Sequence, residues 1–150
     1  MKTNLRVVAL FACLILTACT KETIIAPEPD SPEVAIARSA IYKATESFIS
    51  GNWHITYYVK ANTNKTEAFK SYDFKFLPNG TVIAARDGQN LVGKWVITYI
   101  DNLTRLSCDF SYPASFIEMS GDWTIMEAKE YKMKMCDIIR SADPLTFEKK

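Results

Sequence analysis

Three short segments that share one pattern constrain the fold of this 150-residue chain most strongly. They cover residues 51–55, 93–97 and 121–125, and in each a Trp and an Ile stand two residues apart behind a Gly. Residues two apart lie on the same face of a β-strand, and Gly permits a tight turn or a close backbone approach. Each segment therefore predicts the beginning of a strand with one buried face.

Alternating residues and turn signals predict the remaining strands. Tyr72, Phe74 and Phe76 alternate with polar residues, and Pro78-Asn79-Gly80 then predicts a hairpin into residues 81–86. The same reasoning predicts turns at residues 87–90 and 101–102, and strands at 103–110, 131–135 and 145–148. About eight strands joined by short turns favour a small antiparallel up-and-down β-barrel, or a strongly curled sheet, because closure removes exposed edges.

One helix is predicted before the barrel, over residues 32–50. Ser31 is a suitable N-cap, Pro32 suits the first helical position, and Gly51 is typical of a helix end. Apolar residues recur at helical spacing at Val34, Ala37, Ile41, Ala44 and Phe48. We expect this stripe to pack on the barrel, at residues 52–149, rather than to lie on a membrane, because the polar face has no basic surplus.

The N-terminus has the layout of a secretory signal. Lys2 and Arg6 precede the apolar residues 7–16, a run shorter than the ~20 residues that span a bilayer, and small residues follow. This favours a cleaved signal over a permanent transmembrane anchor. A plain secretory signal that is cut at the same place remains an alternative to the interpretation of residues 16–19 given next.

Residues 16–19, Leu-Thr-Ala-Cys, resemble the lipobox of bacterial lipoproteins. The resemblance implies a signal peptide over residues 1–18, a diacylglyceryl group on Cys19, and acylation of the new amino terminus. Residues 19–30 contain Pro27 and Pro29 and no aromatic residue, and they predict an extended tether to a single domain at 31–150. The expected location is the bacterial cell envelope, at the outer membrane, with the periplasmic or surface face left open.

A second resemblance covers most of the chain after the tether. The order of Gly-x-Trp strand, Phe-x-Phe hairpin, Gly-x-Trp-x-Ile strand, later Trp strand and closing Leu-Thr-Phe-Glu-Lys resembles the lipocalin-like domains of many Bacteroidota lipoproteins. This resemblance implies a small antiparallel barrel, and roles proposed for that family centre on binding small apolar molecules.

Two kinds of binding function follow from a barrel. Seven side chains could line an interior that holds a small apolar ligand: Tyr57, Phe74, Phe76, Trp95, Met126, Met133 and Met135. Alternatively, those side chains fill the interior, and the barrel is an interaction or structural module of an envelope protein complex. Residues 111–120 are the predicted loop or flap for either role.

Catalytic and metal chemistry find little support in the sequence. His54 is the only histidine, which argues against His-based nucleophile activation and the usual metal clusters. Most aspartates fall at predicted turns or outward positions: Asp73, Asp87, Asp101, Asp109, Asp122 and Asp137. We therefore expect a protein that is not an enzyme and has no cofactor or metal.

The charge balance argues against a nucleic-acid partner. The whole chain carries a formal net charge of +1. Without residues 1–18, which contain Lys2 and Arg6, sixteen basic residues face seventeen acidic ones. Nucleic-acid binding depends on neutralising phosphates, so a near-neutral chain without a basic block gives no support for it.

Two cysteines remain in the predicted domain after Cys13 and Cys19 are set aside. An oxidising compartment favours a disulfide between Cys108 and Cys136. Strand alternation favours two separate thiols, because Cys108 is in phase with the apolar Leu106 and Phe110 whereas Cys136 is in phase with lysines. The sequence leaves both alternatives open.

Overall fold

The computed structural model describes residues 31–139 and 143–150. The predicted signal peptide, the proposed lipid site at Cys19 and the tether therefore lie outside the described residues. Two helices and nine strands follow in this order: α1 (Pro32–Ile49), β1 (Asn52–Lys60), β2 (Thr63–Asn64), β3 (Asp73–Phe76), β4 (Thr81–Arg86), β5 (Gln89–Ile100), β6 (Leu103–Asp109), α2 (Ala114–Met119), β7 (Gly121–Lys129), β8 (Lys132–Asp137) and β9 (Pro144–Lys149). A one-turn 3₁₀-helix at Thr66–Ala68 lies between β2 and β3.

The strands form a closed antiparallel barrel. Strands β3 to β9 pair in chain order, and β1 closes the sheet by pairing with β3 on one side and β9 on the other. The short β2 pairs only with the end of β1, so it is an extra strand beside an eight-stranded barrel. The predicted fold class, a small up-and-down barrel preceded by one helix, is confirmed.

The two junctions that close the barrel differ in length. Five residue pairs join β1 to β9, whereas only two, Asn52 with Lys75 and Trp53 with Phe74, join β1 to β3. Beyond Trp53 the two strands separate, and the 3₁₀-helix and Phe69 pack beside the remainder of β1.

Helix α1 matches its predicted position, but the stripe is only half buried. The Ser31 hydroxyl accepts a hydrogen bond from the backbone N–H of Val34, and Pro32 begins the helix, as the sequence predicts. Ala44 and Phe48 are buried, whereas Val34 is 46% exposed. The predicted packing of α1 on the barrel is therefore present in its C-terminal part, whereas Val34 in the first turn remains exposed.

The predicted hairpin turns are present, and one is shorter than expected. Leu77 and Thr81 flank the turn that contains Gly80, where φ is +79°. The chain turns from β4 to β5 with Asp87 and Gly88 alone, since Gln89 already pairs with Arg86.

Gly93 serves close packing rather than a turn. It lies within β5, and a Cβ atom there would stand 2.8 Å from the ring of Phe110. The absence of a side chain at Gly93 therefore makes room for the Phe110 ring, as the close-approach alternative predicts.

Residues 111–120 are not the open loop that the sequence predicts. They contain α2, and Phe116 and Met119 on this helix are buried. A six-residue helix gave no periodicity long enough to recognise from the sequence.

Candidate functional site

Aromatic rings fill the barrel from one end to the other. The ring of Phe116, on α2, lies 6.0 Å from that of Phe74, which lies 5.2 Å from Phe147. Phe147 in turn lies 6.4 Å from Phe48, on α1. All four side chains are at most 1% exposed. We call these four residues the aromatic column, and it occupies the space in which a barrel of this kind would hold a ligand.

Phe48 closes the end of the barrel at which β1 begins, which we call the α1 end. Its ring centroid lies 4.7 Å from that of Phe76 and 6.0 Å from that of Trp95. The indole N–H of Trp53 donates a 2.9 Å hydrogen bond to the Phe48 carbonyl oxygen. The Lys149 ammonium stands 5.0 Å above the Trp53 ring, where a cation is attracted to the ring face. The last turn of α1 is therefore part of the core.

Phe116 closes the opposite end, which we call the α2 end. Its ring lies within 5.0 Å of those of Phe69, Tyr72 and Phe110. Tyr72 lies immediately before β3 and Phe76 ends it, and Phe116 contacts the first whereas Phe48 contacts the second. The two helices therefore close opposite ends of the barrel.

Two polar groups attach α2 to the barrel wall. The Tyr58 hydroxyl donates a hydrogen bond to the Glu118 carbonyl oxygen, at 3.1 Å, and the indole N–H of Trp123 donates to the Met119 carbonyl oxygen, also at 3.1 Å. Burial and the nearby carboxylate of Glu118 raise the pKa of Tyr58 well above its usual range. The phenol therefore remains protonated and able to donate this hydrogen bond at any physiological pH.

Five of the seven predicted lining residues lie together inside the barrel. They are Phe74, Phe76, Trp95, Met133 and Met135, each at most 6% exposed. They pack against one another and the aromatic column, as the rings of Phe76 and Trp95 do at 5.3 Å. This arrangement matches the alternative in which these side chains fill the interior.

The other two predicted lining residues, Tyr57 and Met126, lie outside the barrel. Tyr57 is 45% exposed and Met126 is 67% exposed. In β1 the pairing with β9 shifts between Ile55 and Tyr57, and in β7 the pairing with β8 shifts between Ile125 and Glu127. Each shift is a β-bulge, which adds one residue and locally disrupts the ladder.

The bulge in β1 explains the wrong prediction for Tyr57. Strict alternation from Trp53 and Ile55 would turn Tyr57 inward. The extra residue at the bulge moves the inward position to Tyr58, which is fully buried, and leaves Tyr57 on the outer face. Met126 is the unpaired residue of the second bulge and points to solvent.

Cys108 and Cys136 are free thiols, so of the two alternatives that the sequence left open the structure shows no disulfide between them. Cys108 is buried among the inward side chains of β6, whereas Cys136 lies on the other face of the wall, in β8, and is partly exposed. Burial raises the pKa of the Cys108 thiol to about 12. The alternative of two separate thiols, which strand alternation favoured, describes the structure.

A partly buried ion pair at the α2 end was not predicted. The Lys60 ammonium lies 2.6 Å from the Asp137 carboxylate, and Asp137 and Asp143 are 9% and 1% exposed. Asp143 accepts a 2.9 Å hydrogen bond from the backbone N–H of Ala61, and its carbonyl oxygen accepts one from the backbone N–H of Asp137. These contacts join the β1–β2 turn to the beginning of β9.

The signal for this ion pair was present in the sequence. Asp137 is in phase with Met133 and Met135, which are both inward residues of β8. The expectation that Asp137 is a solvated carboxylate is therefore wrong. Asp137 helps to hold together the segments that meet at the α2 end, namely the end of β1, the end of β8 and the beginning of β9.

A pocket of about 470 Å³ lies on the barrel wall. It is formed where β5, β6 and β7 run side by side, and its lining residues are Gly80, Lys94, Trp95, Val96, Ser107, Cys108, Asp109, Gly121 and Asp122. Its volume falls within the range of about 300–1,000 Å³ that is typical of small-molecule sites. Trp95 is the one predicted lining residue that borders this pocket.

The described residues offer no metal centre and no spanning helix. Within residues 31–139 and 143–150, no group of three or more His, Cys, Asp and Glu side chains is placed to bind a metal ion. Neither α1 nor α2 is long and apolar enough to cross a membrane.

Comparison with known proteins gives one structural similarity. No protein-family model matches the sequence, and no curated protein matches it. The structure is similar to the crystal structure of a lipocalin-like protein from Bacteroides uniformis, with a TM-score of 0.44 and 14% sequence identity. The similarity covers 68% of this chain and 98% of that chain.

Proposed function

We propose that this protein is a lipid-anchored, non-catalytic lipoprotein of the bacterial outer membrane that binds through the outer surface of a filled barrel. The lipid is attached at Cys19, and a protein of the cell envelope is the partner. The observation that carries the proposal is the aromatic column, because its four buried rings occupy the barrel from α2 to α1. An interior packed in this way supports an interaction module over a container.

Exposed apolar side chains support the α2 end as the binding surface. Tyr112 and Ile117 are 57% and 52% exposed, and Ile138 and Ile139, which follow β8 at the same end, are 39% and 88% exposed. Large apolar side chains that remain exposed at one end of the barrel support a protein–protein contact site there.

The lipid anchor is tested with a matched pair of cysteine variants. Both Cys13 and Cys19 lie in the N-terminal segment, but only Cys19 follows the small residues that resemble a lipobox. We expect Cys19→Ala to abolish incorporation of labelled fatty acid and partition into membranes, and Cys13→Ala to preserve both. Continued labelling of the Cys19→Ala variant would rule out the anchor.

The binding surface is tested by photo-crosslinking in cells of the native host. A photoreactive residue replaces Ile117 or Ile139 at the α2 end, and the matched control replaces the exposed Val92 on the barrel wall. We expect an adduct of one defined mass from the α2 end and none from Val92. Adducts from all three positions alike, or from none, would contradict an interaction surface at this end.

A small apolar ligand remains a second candidate, bound on the wall rather than inside. The wall pocket supports it, since the pocket has a suitable volume and Val96, at its rim, is 52% exposed. An apolar fluorescent fatty acid serves as the probe. Saturable binding that Val96→Asp abolishes and Val92→Asp preserves would support this candidate, and binding that neither substitution changes would exclude it.

A further inference from the structure

The N-terminal half of α1 makes little contact with the barrel. Val34 and Ile36 in this half are 46% and 58% exposed, and Tyr42, just beyond it, is 64% exposed. The buried residues of the helix, Ala44 and Phe48, both lie in its last two turns. Isolated helices shorter than ~12–15 residues are marginal in water. A projecting half-helix of this kind gains stability from a further surface.

Apolar side chains lie on two sides of α1 between Val34 and Thr45. One side forms a shallow groove lined by Val34, Ala37, Arg38, Ile41, Tyr42 and Thr45. The other side presents Ala35, Ile36, Ser39, Ala40 and Lys43. A helix that is apolar around most of its circumference is usually buried, so the exposure of these side chains indicates a surface that covers them.

The proposed lipid on Cys19 places a bilayer within reach of α1. Residues 20–30 separate Cys19 from Ser31, and eleven residues extend to at most about 40 Å. Tethering within this distance raises the effective concentration of α1 at the bilayer surface, so even a weak apolar contact between them is populated.

The same end of the barrel carries further exposed apolar residues. Ile100 and Leu103 pair across the turn between β5 and β6 and are 47% and 43% exposed, and Tyr131, in the turn between β7 and β8, is 61% exposed. Helix α1 contacts β5, β6 and β7, so these turns lie at the end that α1 closes. Ile100 and Leu103 are strand-end residues that flank the polar turn Asp101-Asn102, so the rim of the barrel at this end has an exposed apolar part beside its polar turn residues.

We propose that the first half of α1 and the apolar turns at the α1 end rest on the surface of the phospholipid bilayer, with the α2 end directed away from it. This inference rests on the proposed lipid anchor at Cys19. Two lysines beside the apolar turns are paired, Lys132 with Glu148 and Lys129 with Glu127. Helix α1 has no basic surplus, because Glu33 and Glu46 balance Arg38 and Lys43. The contact is therefore apolar in origin, and we expect it to form on neutral lipid and to persist at high salt.

The test uses the full, lipidated chain in phosphatidylcholine vesicles, with part of the lipid brominated to quench indole fluorescence. Tyr42→Trp reports the α1 end, and Ile117→Trp, at a position of similar exposure on α2, is the matched control. The native Trp53, Trp95 and Trp123 are buried and provide the background, measured with the unsubstituted protein. We expect the indole at position 42 to lose most of its emission and the indole at position 117 to keep it.

A second variant tests whether the apolar side chains are responsible. Val34→Asp combined with Ile36→Asp changes two exposed positions, so the barrel still folds. When these two substitutions are combined with Tyr42→Trp, we expect the brominated lipid to quench the fluorescence of the indole at position 42 much less.

The other outcomes separate this inference from the anchor on which it rests. Protein that incorporates fatty acid and stays on the vesicles, but shows equal quenching at positions 42 and 117 or none at either, overturns the orientation alone. Quenching at position 42 that Val34→Asp with Ile36→Asp leaves unchanged also overturns it. If a second copy of this chain covers Tyr42, the protein is a dimer, and Val34→Asp combined with Ile36→Asp dissociates it. That result would show that a second copy, and not the bilayer, covers α1. Protein without fatty acid that washes off the vesicles overturns the anchor and this inference together.

Discussion

Trp53 and Phe48 are joined by a hydrogen bond in the core: the indole N–H donates to the Phe48 carbonyl oxygen over 2.9 Å, and both side chains are fully buried. Carbonyl groups in the last turn of a helix have no partner within the helix. The first tryptophan of the barrel supplies one, and it thereby fixes the end of α1 against the beginning of β1. The helix is part of the folded domain and not merely a connection to the anchor.

We expect Phe48→Ala to destabilise the domain by about 3–5 kcal/mol, because it removes a ring that contacts four other aromatic side chains and leaves a cavity at the α1 end. The measurement is the free energy of unfolding in urea. Ile36→Ala, at an exposed position of the same helix, should change it by less than about 0.5 kcal/mol. Equal effects of the two substitutions would show that α1 does not close the barrel.

Two methionines provide a matched test of which side chains lie inside. Met133 is fully buried, whereas Met126 at the bulge is 67% exposed. We expect Met133→Ala to cost about 2–5 kcal/mol and Met126→Ala to stay within about 0.5 kcal/mol. Thermal and urea unfolding of the two variants measure this difference. A large loss for Met126→Ala would contradict the position of the bulge.

The bulge in β7 also sets the environment of Glu127, which it places opposite Lys134. Hydrogen bonds from Lys129 and then Lys134 lower the pKa of Glu127 from its ordinary value of 4.5 to about 2. The unfolded chain binds this proton at higher pH than the folded chain does. The contribution of Glu127 to stability is therefore fully present above about pH 4.5 and is lost as the pH falls towards about 2.

An NMR titration of the Glu127 side-chain carbon measures this pKa directly. We expect Lys129→Met to raise the pKa of Glu127 towards its ordinary value, and the distant Lys65→Met to leave it unchanged. A pKa that does not respond to Lys129→Met would show that the ion pair does not form in solution.

The two cysteines are expected to differ in reactivity. Burial raises the pKa of Cys108 to about 12 and excludes reagents from it. Burial also raises the pKa of Cys136, but this thiol is partly exposed. Because the thiolate is the reactive form, an alkylating reagent at mildly alkaline pH should modify Cys136 slowly and Cys108 only after unfolding. Peptide mass spectrometry of a Cys19→Ala chain measures both sites. Recovery of a peptide pair joined through Cys108 and Cys136 would contradict the separate positions of these thiols.

Much of the architecture could be predicted from local sequence. Each strand of the barrel has one buried face, and the alternation of Tyr72, Phe74 and Phe76 shows this directly. A Gly two residues before the first and the third tryptophan, together with the turn residues, marks where strands begin and end. The helix start at Ser31 and Pro32 was equally readable, because capping depends only on adjacent residues.

The parts that were missed depend on pairing between distant segments. Nothing local to Tyr57 or Met126 indicates a bulge, since the extra residue exists only relative to β9 or β8. Likewise Phe116 is buried because the open end of a barrel receives it, and the short α2 has no pattern of its own. The bulges place Tyr57 and Met126 outside the barrel, and Phe116 closes its α2 end. The remaining predicted lining residues are therefore, in the structure, part of a filled interior.

The short junction between β1 and β3 determines when the barrel can form. With only two residue pairs to β3 and two to the short β2, β1 depends for most of its ladder on β9, the last strand of the barrel. Contacts between such distant segments carry the highest loop-closure cost and form late in folding. The first strand of the barrel therefore pairs only after its last strand is available, and a chain that lacks residues 144–149 would expose open edges on both β1 and β8.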